Sequence, residues 1–322
     1  MLHSPYLCTR LRLYTAKGRS RLDNLLAKMG ISREYAKQLW THTPRELKKS
    51  LPDKLEKVET GVGLELVQGK VFERGWGYKG TFSATDVVQI IEATLVSIEE
   101  GSGKENITPR EEGKDDPSER FRQREGEMKA EWVTRFWRAL DSIDKYPPIP
   151  PTNLTSRVDL LITNLPSGKH LHRTILSTGQ SIIEKRAIKN LRSFRITTLR
   201  EGPYLALFEH PIALTKLATW LCEVSAEEDR GRARRVQPGL VIACLIPSRA
   251  VFLVVGVTAK TTADDGNETV GNKFGLAFGR VAKREVRGLG MKIDAFEPGV
   301  VEVREGDLPR FLEVLNLEIA RQ

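Results

Sequence analysis

The densest group of side chains able to bind phosphates is four arginines in the second half of the chain: Arg230, Arg232, Arg234 and Arg235. They directly follow three acidic residues, 227–229, so two interpretations are open. Local pairing would hold the arginines on the protein's own carboxylates, whereas a projecting loop would offer them to a nucleic-acid backbone. The cluster contains no aromatic side chain that could stack on bases.

Residues suited to metal binding or catalysis are few and poorly spaced. His170 and His172 are two positions apart, so on a helix they point to different sides, whereas a metal pair is usually three or four apart. The three cysteines are widely separated, and no CxxC or HExxH motif occurs, which disfavours disulfides and zinc. A DHH aspartate cluster, a Walker loop, GxSxG and GxGxxG are also absent. We predict no catalytic residue, no metal and no cofactor.

Two further stretches resemble sites but favour structural roles. Glycines recur every fourth residue in VGNKFGLAFG, residues 270–279, which indicates close backbone packing on a helix more than phosphate binding. His210 precedes Pro211, where we expect it to cap a helix. Cysteines 8, 222 and 244 are interpreted as small apolar residues.

A glycine-aromatic-basic turn, GWGYKGTFSATDVV at residues 75–88, runs into a well-signalled helix start. Ser83 has the position of an N-cap, and Asp86 that of its capping-box partner. Phe82 has the spacing of a hydrophobic staple with Val87. Two interpretations are open: a turn built to be displayed, or simply a well-capped helix.

The first half of the chain, which contains this turn, is predicted to be mainly helical. We predict helices over 18–29, with Gly30 after its end, over 32–40, capped by Ser32, and from 43 onward. A nearly all-apolar helix over 84–98 is predicted to be central. Residues 99–127 lack aliphatic side chains beyond Ile107 and are predicted to be a disordered insertion. The aromatic stripe over 132–143 is predicted to be core, and PPIPP at 147–151 to be a stiff connector.

The second half alternates strand and helix patterns. Strands are predicted over 191–198, 204–208, 240–246, 251–257, 291–296 and 300–303, and helices over 168–187, 212–224, 272–286 and from Asp307, its N-cap. The fold class is therefore α/β with an N-terminal mainly helical module. We predict a module over 1–145, a linker over 146–154 and an α/β domain over 155–322.

Charge is unevenly placed along the 322 residues, because the first 50 contain 11 Lys and Arg against 3 Asp and Glu, while the whole chain carries a net charge of +9. Such a module could attract nucleic acid or an acidic protein, or simply carry solvated helix faces. The sequence shows neither a secretory signal nor an apolar run long enough for a membrane span. With few cysteines, a reducing compartment is expected.

Five stretches, taken in order, resemble the C-terminal half of the eukaryotic cell division cycle protein forty-five family: YLCTRLRLYTAKGRSRLDNLLAKMGI, GYKGTFSATDVV, GPYLALFEHPIALTKLATWL, FLVVGV and NKFGLAFGRVAKREV. The resemblance extends from about residue 6 to 315. It implies a non-catalytic scaffold subunit for DNA replication initiation and fork unwinding in the nucleus, bound to GINS, the minichromosome maintenance ring and single-stranded DNA. No membrane and no small-molecule substrate are implied.

That family is similar to RecJ-type DHH phosphoesterases, so the resemblance implies a DHH-associated α/β domain here. Active relatives carry a histidine in the glycine-rich motif, which NKFGLAFGRV lacks. By the same resemblance Tyr78, Lys79, Phe82, Ser83 and Asp86 match the signature turn of the partner-binding module. It implies that Tyr78 and Lys79 are displayed as contacts, with Phe82 and Asp86 as structural support.

Two other functions stay open at this point: a DHH-type phosphoesterase completed by a separate chain, and a stand-alone basic nucleic-acid-binding module. Because the family's N-terminal DHH-like domain has no counterpart here, we expect the chain to be a fragment, a split gene product or a truncated gene model.

Overall fold

The computed structural model describes residues 12–38, 42–62, 73–75, 81–96, 132–143, 157–230, 238–258, 272–283, 289–294 and 297–321. They form two compact units, one made of residues 1–69 with 172–322 and the other of residues 70–171. The whole predicted insertion, the whole predicted linker and Trp40 lie outside the described residues. The domain boundary at 146–154 therefore stays a prediction.

Three helices begin the first unit: α1 (Ala16–Lys28), α2 (Arg33–Lys37) and α3 (Arg45–Val62). The backbone N–H of Gly18 donates to the Thr15 hydroxyl at the start of α1, and that of Tyr35 donates to Ser32 at the start of α2. Gly30 follows α1 with a φ of +65°, which a glycine adopts without strain. All three predicted helices are confirmed. The caps of α1 and α2 form at the residues that the sequence indicates.

The rest of the first unit is built on a six-stranded mixed sheet. Its strands are β3 (Lys189–Asn190), β4 (Phe194–Leu199), β5 (Gly239–Ile246), β6 (Val251–Val257), β7 (Met291–Ile293) and β8 (Val300–Arg304). Their spatial order is β3-β4-β5-β6-β8-β7, and only the pair β4–β5 is parallel. The predicted α/β class is confirmed.

One face of the sheet is covered by α9 (Lys273–Lys283) and α10 (Leu308–Ile319). Phe194 of β4 meets Phe274 edge to face, with ring centroids 6.0 Å apart, and Phe278 packs on Phe311 at 5.8 Å. Gly256 of β6 lies directly under the Phe274 ring, where a side chain would clash. Gly275 likewise lies close to Pro298, whereas Gly279 has open space around its Cα. Close packing therefore explains Gly275 but not Gly279.

The opposite face packs against α8 (Pro211–Arg230). The Cys222 thiol lies 3.9 Å from the Val257 carbonyl oxygen, and both Cys222 and Cys244 are buried. Their interpretation as small apolar residues is confirmed, while Cys8 lies outside the described residues. His210 caps α8, because its Nδ1 accepts from the Ile212 N–H at 3.3 Å.

Two local predictions in this unit are wrong. Residues 204–208 were predicted to be a strand, but Leu205–Phe208 is a one-turn helix, α7. A short apolar run does not itself distinguish the two states. Asp307 makes no side-chain cap at the start of α10, because its carboxylate instead accepts the Gly290 N–H at 2.8 Å.

The second unit contains β1 (Glu73–Gly75), β2 (Thr81–Ser83), α4 (Ala84–Val96) and a helix over 132–141, α5. The long helix α6 (Arg157–Glu184) contributes its first half to this unit and its second half to the first unit. A Cβ atom added at Gly168 of α6 would lie 3.9 Å from atoms of Ile90 of α4. The two helices therefore pack closely. Although α4 buries Ile90 and Val96, Val88 is 53% exposed, so the helix is not enclosed on all sides as predicted.

Candidate partner-binding surfaces

The signature turn forms a hairpin that leads into a capped helix. β1 and β2 pair antiparallel, with Gly75 opposite Thr81 and Glu73 opposite Ser83. Residues 76–80 connect the strands, so Tyr78 and Lys79 belong to this connection. Both lie outside the described residues, and their display stays a prediction.

The cap after the hairpin is the reciprocal box that the spacing predicts. The Asp86 N–H donates to the Ser83 hydroxyl at 3.1 Å, and the Ser83 N–H donates to the Asp86 carboxylate at 2.9 Å. The Ser83 hydroxyl also donates to that carboxylate at 2.7 Å. Phe82 and Ser83 are half-buried, and Asp86 is exposed. Each cap of this kind contributes about 1 kcal/mol to a helix, so these residues shape the hairpin's base.

The arginine cluster begins at the last residue of α8. The side chain of Arg230, and all of Arg232, Arg234 and Arg235, lie outside the described residues. The acidic residues before them contact other parts of the fold. The Asp229 carboxylate binds Arg195 of β4, and the backbone carbonyl oxygen of Glu227 accepts from Arg12 at 2.7 Å. These acidic residues are therefore tied to distant parts of the fold by contacts that local pairing did not predict.

The contact at Glu227 joins the N-terminal segment to α8. Arg12 also lies 3.7 Å from the Glu227 carboxylate, and Tyr14 beside it is buried. Burial and the neighbouring Glu228 raise the pKa of Tyr14 to about 12. Arg12, one of the basic residues of the first 50, therefore makes its contacts within the fold.

The aromatic stripe of α5 is exposed, which contradicts its predicted place in the core. Exposed fractions are 44% for Trp132, 46% for Phe136, 56% for Trp137 and 51% for Ile143. Phe136 and Trp137 lie edge to face at 5.7 Å. We call these four residues, with Val133, the aromatic face.

The buried residues of this segment are small. Ala139 and Ser142 are 4% exposed, although Ala139 lies three residues after Phe136 and seven after Trp132 and so shares their side of the helix. The 3.6-residue period predicts that an apolar stripe exists, but it does not decide whether the fold covers that stripe. Large exposed apolar patches are typical of interaction sites.

In the described part of the chain, no three histidine, cysteine, aspartate or glutamate side chains are grouped so as to hold a metal ion. None of the helices described there is long and apolar enough to cross a membrane.

Comparisons with known proteins place these features in a family. The sequence model of the family described as CDC45 matches residues 1–318. The cell division control protein 45 homolog of Schizosaccharomyces pombe is 36% identical over 325 residues, covering 99% of this chain and 48% of the relative. Cell division control protein 45 of Saccharomyces cerevisiae is 29% identical, and the homolog of Homo sapiens is 25% identical.

The chain spans about half the length of these relatives. The crystal structure of CDC45 from Entamoeba histolytica superimposes with a TM-score of 0.61 at 17% identity, covering 99% of this chain and 54% of that one. This likeness confirms the predicted fold, including its RecJ-like α/β architecture. With the family match extending over nearly every residue, the chain belongs to the CDC45 family.

Proposed function

We propose that the chain is a non-catalytic scaffold subunit for DNA replication initiation and fork unwinding in the nucleus. It bridges the GINS complex and the minichromosome maintenance ring, and it contacts single-stranded DNA. The observation that carries this proposal is the exposed aromatic face of α5, in a chain that belongs to the CDC45 family. Tryptophan-rich apolar patches are typical of the energetic centres of protein interfaces.

The signature hairpin supplies a second contact in this proposal. Tyr78 and Lys79 touch the partner from the connection between β1 and β2, while Phe82, Ser83 and Asp86 hold the base of that connection. The reciprocal cap supports this division of roles, because its hydrogen bonds tie Ser83 and Asp86 to each other. Ser83 and Asp86 fix the shape of the hairpin's base, and the contact energy comes from Tyr78 and Lys79.

The DNA contact is assigned to Arg230, Arg232, Arg234 and Arg235. Asp229 binds Arg195 and Glu227 binds Arg12, which supports a role for the following arginines beyond pairing with these two acids. Arginine side chains bind phosphates strongly but read no sequence by doing so. The expected binding is therefore insensitive to base sequence and weakens as salt rises.

Catalysis has no place in the proposal, and the chain is a pseudo-enzyme relative of DHH phosphoesterases. The experiment is to mix the purified chain with recombinant GINS and the ring, follow association by size-exclusion chromatography, and assay cleavage of single-stranded DNA with Mn²⁺. Association without cleavage supports the scaffold. Metal-dependent cleavage would instead support a phosphoesterase, and DNA binding without association a basic nucleic-acid-binding module.

A further inference from the structure

Helix α1 carries cations along one side. Lys17, Arg21 and Lys28 are exposed, and their spacings of four and seven residues place them on the same side of a helix. At 1.5 Å per residue they extend over about 16 Å of the helix axis. Lys54 of α3 reaches the end of α1, because its Nζ lies 3.9 Å from the position of a Cβ atom added at Gly30. We call Lys17, Arg21, Lys28 and Lys54 the cationic row.

The acidic residue nearest to the row in sequence is engaged elsewhere. Asp23 is the one acidic residue within α1, and it binds Arg33 of α2 at 3.6 Å. Because Asp23 is two positions after Arg21, its side chain points to a different side of the helix. In the part of the chain that the structure describes, no carboxylate oxygen lies within 4 Å of a charged group of the row. The positive charge of the row is therefore not neutralised by these residues.

The surface beside the row favours a polyanion over a folded protein partner. The exposed neighbours of the row on α1 are Ser20, Asn24 and Ala27. None of them is the large aromatic or arginine anchor that supplies most of the energy of a protein interface. The first turn of α1 contains no acidic residue, so the positive end of the helix dipole adds to the attraction for anions. Binding at this surface therefore depends on charge.

From this arrangement we infer that the cationic row binds the phosphate backbone of double-stranded DNA. Duplex DNA carries about one negative charge per 1.7 Å of axis, and phosphates of one strand are about 3.4 Å apart, so the part of the row on α1 spans about five phosphates. An extended acidic peptide carries one charge per about 3.3–3.6 Å, which is about half the charge density of the duplex.

A duplex also fits this surface better than a single strand does. Proteins that bind single strands stack the bases on aromatic side chains, and no aromatic residue belongs to the row or to its exposed neighbours on α1. Phosphate contacts read no base sequence, so duplexes of any sequence should bind alike. The row contains none of the arginines to which single-stranded DNA is assigned. Failure of this inference would therefore leave the proposed function unchanged.

Fluorescence anisotropy of the purified full chain with a labelled duplex tests the inference, at salt concentrations from about 50 to 200 mM. The row variant combines Lys17→Gln, Arg21→Gln and Lys28→Gln, because glutamine removes the charge and is a good helix former. We expect it to bind the duplex roughly tenfold or more weakly at the lower salt concentration. The slope of log affinity against log salt should become shallower by about 2–3, and for Arg21→Gln alone by about one.

The control variant removes the same number of charges outside the row. It combines Arg19→Gln, Lys37→Gln and Lys49→Gln, all at exposed positions, and should weaken binding by no more than about threefold through long-range charge. Melting temperatures equal to that of the wild type show that both variants are folded. The row variant should keep its affinity for a labelled single strand of the same length.

Four results would overturn the inference. The wild type fails to bind the duplex, or the row variant binds it unchanged. The row and control variants lose equal affinity, or the row variant loses as much affinity for the single strand as for the duplex. Displacement of the duplex by an equal concentration of a poly-glutamate peptide of the same length would also overturn it, by showing that the row binds acidic protein segments equally well.

Discussion

Arg195 and Asp229 form a buried ion pair that joins strand β4 to the last turn of α8. Arg195 is 7% exposed and Asp229 is 2% exposed. The Arg195 Nε also donates to the Asn190 side-chain oxygen at 3.1 Å, which extends the link to the edge strand β3. The pair thus fixes the residue that immediately precedes the arginine cluster.

Breaking this pair should destabilise the first unit strongly. Asp229→Ala leaves a buried guanidinium without its carboxylate, and we expect a loss of about 3–5 kcal/mol in the free energy of unfolding, measured by urea denaturation. Arg200→Ala is the control, because Arg200 and Glu305 form an exposed pair at 3.3 Å, and such pairs contribute about 1 kcal/mol or less. Equal losses for the two variants would contradict this assignment.

Replacing either of two helical glycines with alanine should change stability in opposite directions, because the space around them differs. A Cβ added at Gly179 of α6 would overlap the Trp220 ring, whereas one added at Gly279 of α9 meets nothing within 4 Å. Gly179→Ala should cost about 1–3 kcal/mol through overpacking, while Gly279→Ala should gain about 0.5–1 kcal/mol through helix propensity. Thermal denaturation measures both, and a stabilised Gly179→Ala variant would show that Trp220 does not occupy this space.

The buried thiols should respond to pH in a defined direction. Burial raises the pKa of Cys222 to about 11 and that of Cys244 to about 12. Because the thiols of the unfolded chain ionise at about pH 8.5, the unfolded state loses these protons first. Their contribution to stability is therefore complete below about pH 8.5 and falls as pH rises, by up to about 1.4 kcal/mol per pH unit for each thiol.

Thiol alkylation and alkaline denaturation check this prediction. In a Cys8→Ser background, iodoacetamide at neutral pH should leave the native chain unlabelled and should label both thiols in guanidinium chloride. Cys222→Ala should reduce the alkaline loss of stability. Rapid labelling of the native chain would mean that these thiols are accessible.

The connection between β1 and β2 should contribute to partner binding through Tyr78 and Lys79. Replacing both Tyr78 and Lys79 with alanine should weaken co-purification with GINS or the minichromosome maintenance ring without lowering the melting temperature, because both lie in the connection between the two strands. Ser83→Ala is the matched variant, since it removes the cap hydrogen bonds and should lower helix stability. Unchanged co-purification of the double variant would remove Tyr78 and Lys79 from the proposed contact.

Local features of this fold were predictable from the sequence. The span of β6, Val251–Val257, coincides with its apolar run, and the Ser83–Asp86 cap forms as its spacing predicts. In each case the determining interactions lie within a few residues. Periodicity and capping residues report such interactions directly.

Features that depend on distant contacts were not predictable. Arg195 and Asp229 are 34 residues apart, and Arg12 and Glu227 are 215 apart, so no spacing rule relates them. The aromatic face has the period of a core helix, and only the packed fold shows that Trp132, Phe136 and Trp137 stay exposed. The strand predicted over 204–208 failed because a five-residue apolar run fits either state.

The aromatic face gives the most direct test of the scaffold proposal. Binding of GINS and of the ring should be measured by biolayer interferometry for the wild type, for Phe136→Ser with Trp137→Ser, and for Leu276→Ser. Leu276 is 68% exposed in the first unit and controls for loss of any exposed apolar side chain. We expect the double variant to lose affinity for one of the two partners by about tenfold or more, with Leu276→Ser unchanged. Equal binding by all three proteins, or no binding by the wild type, would contradict the account.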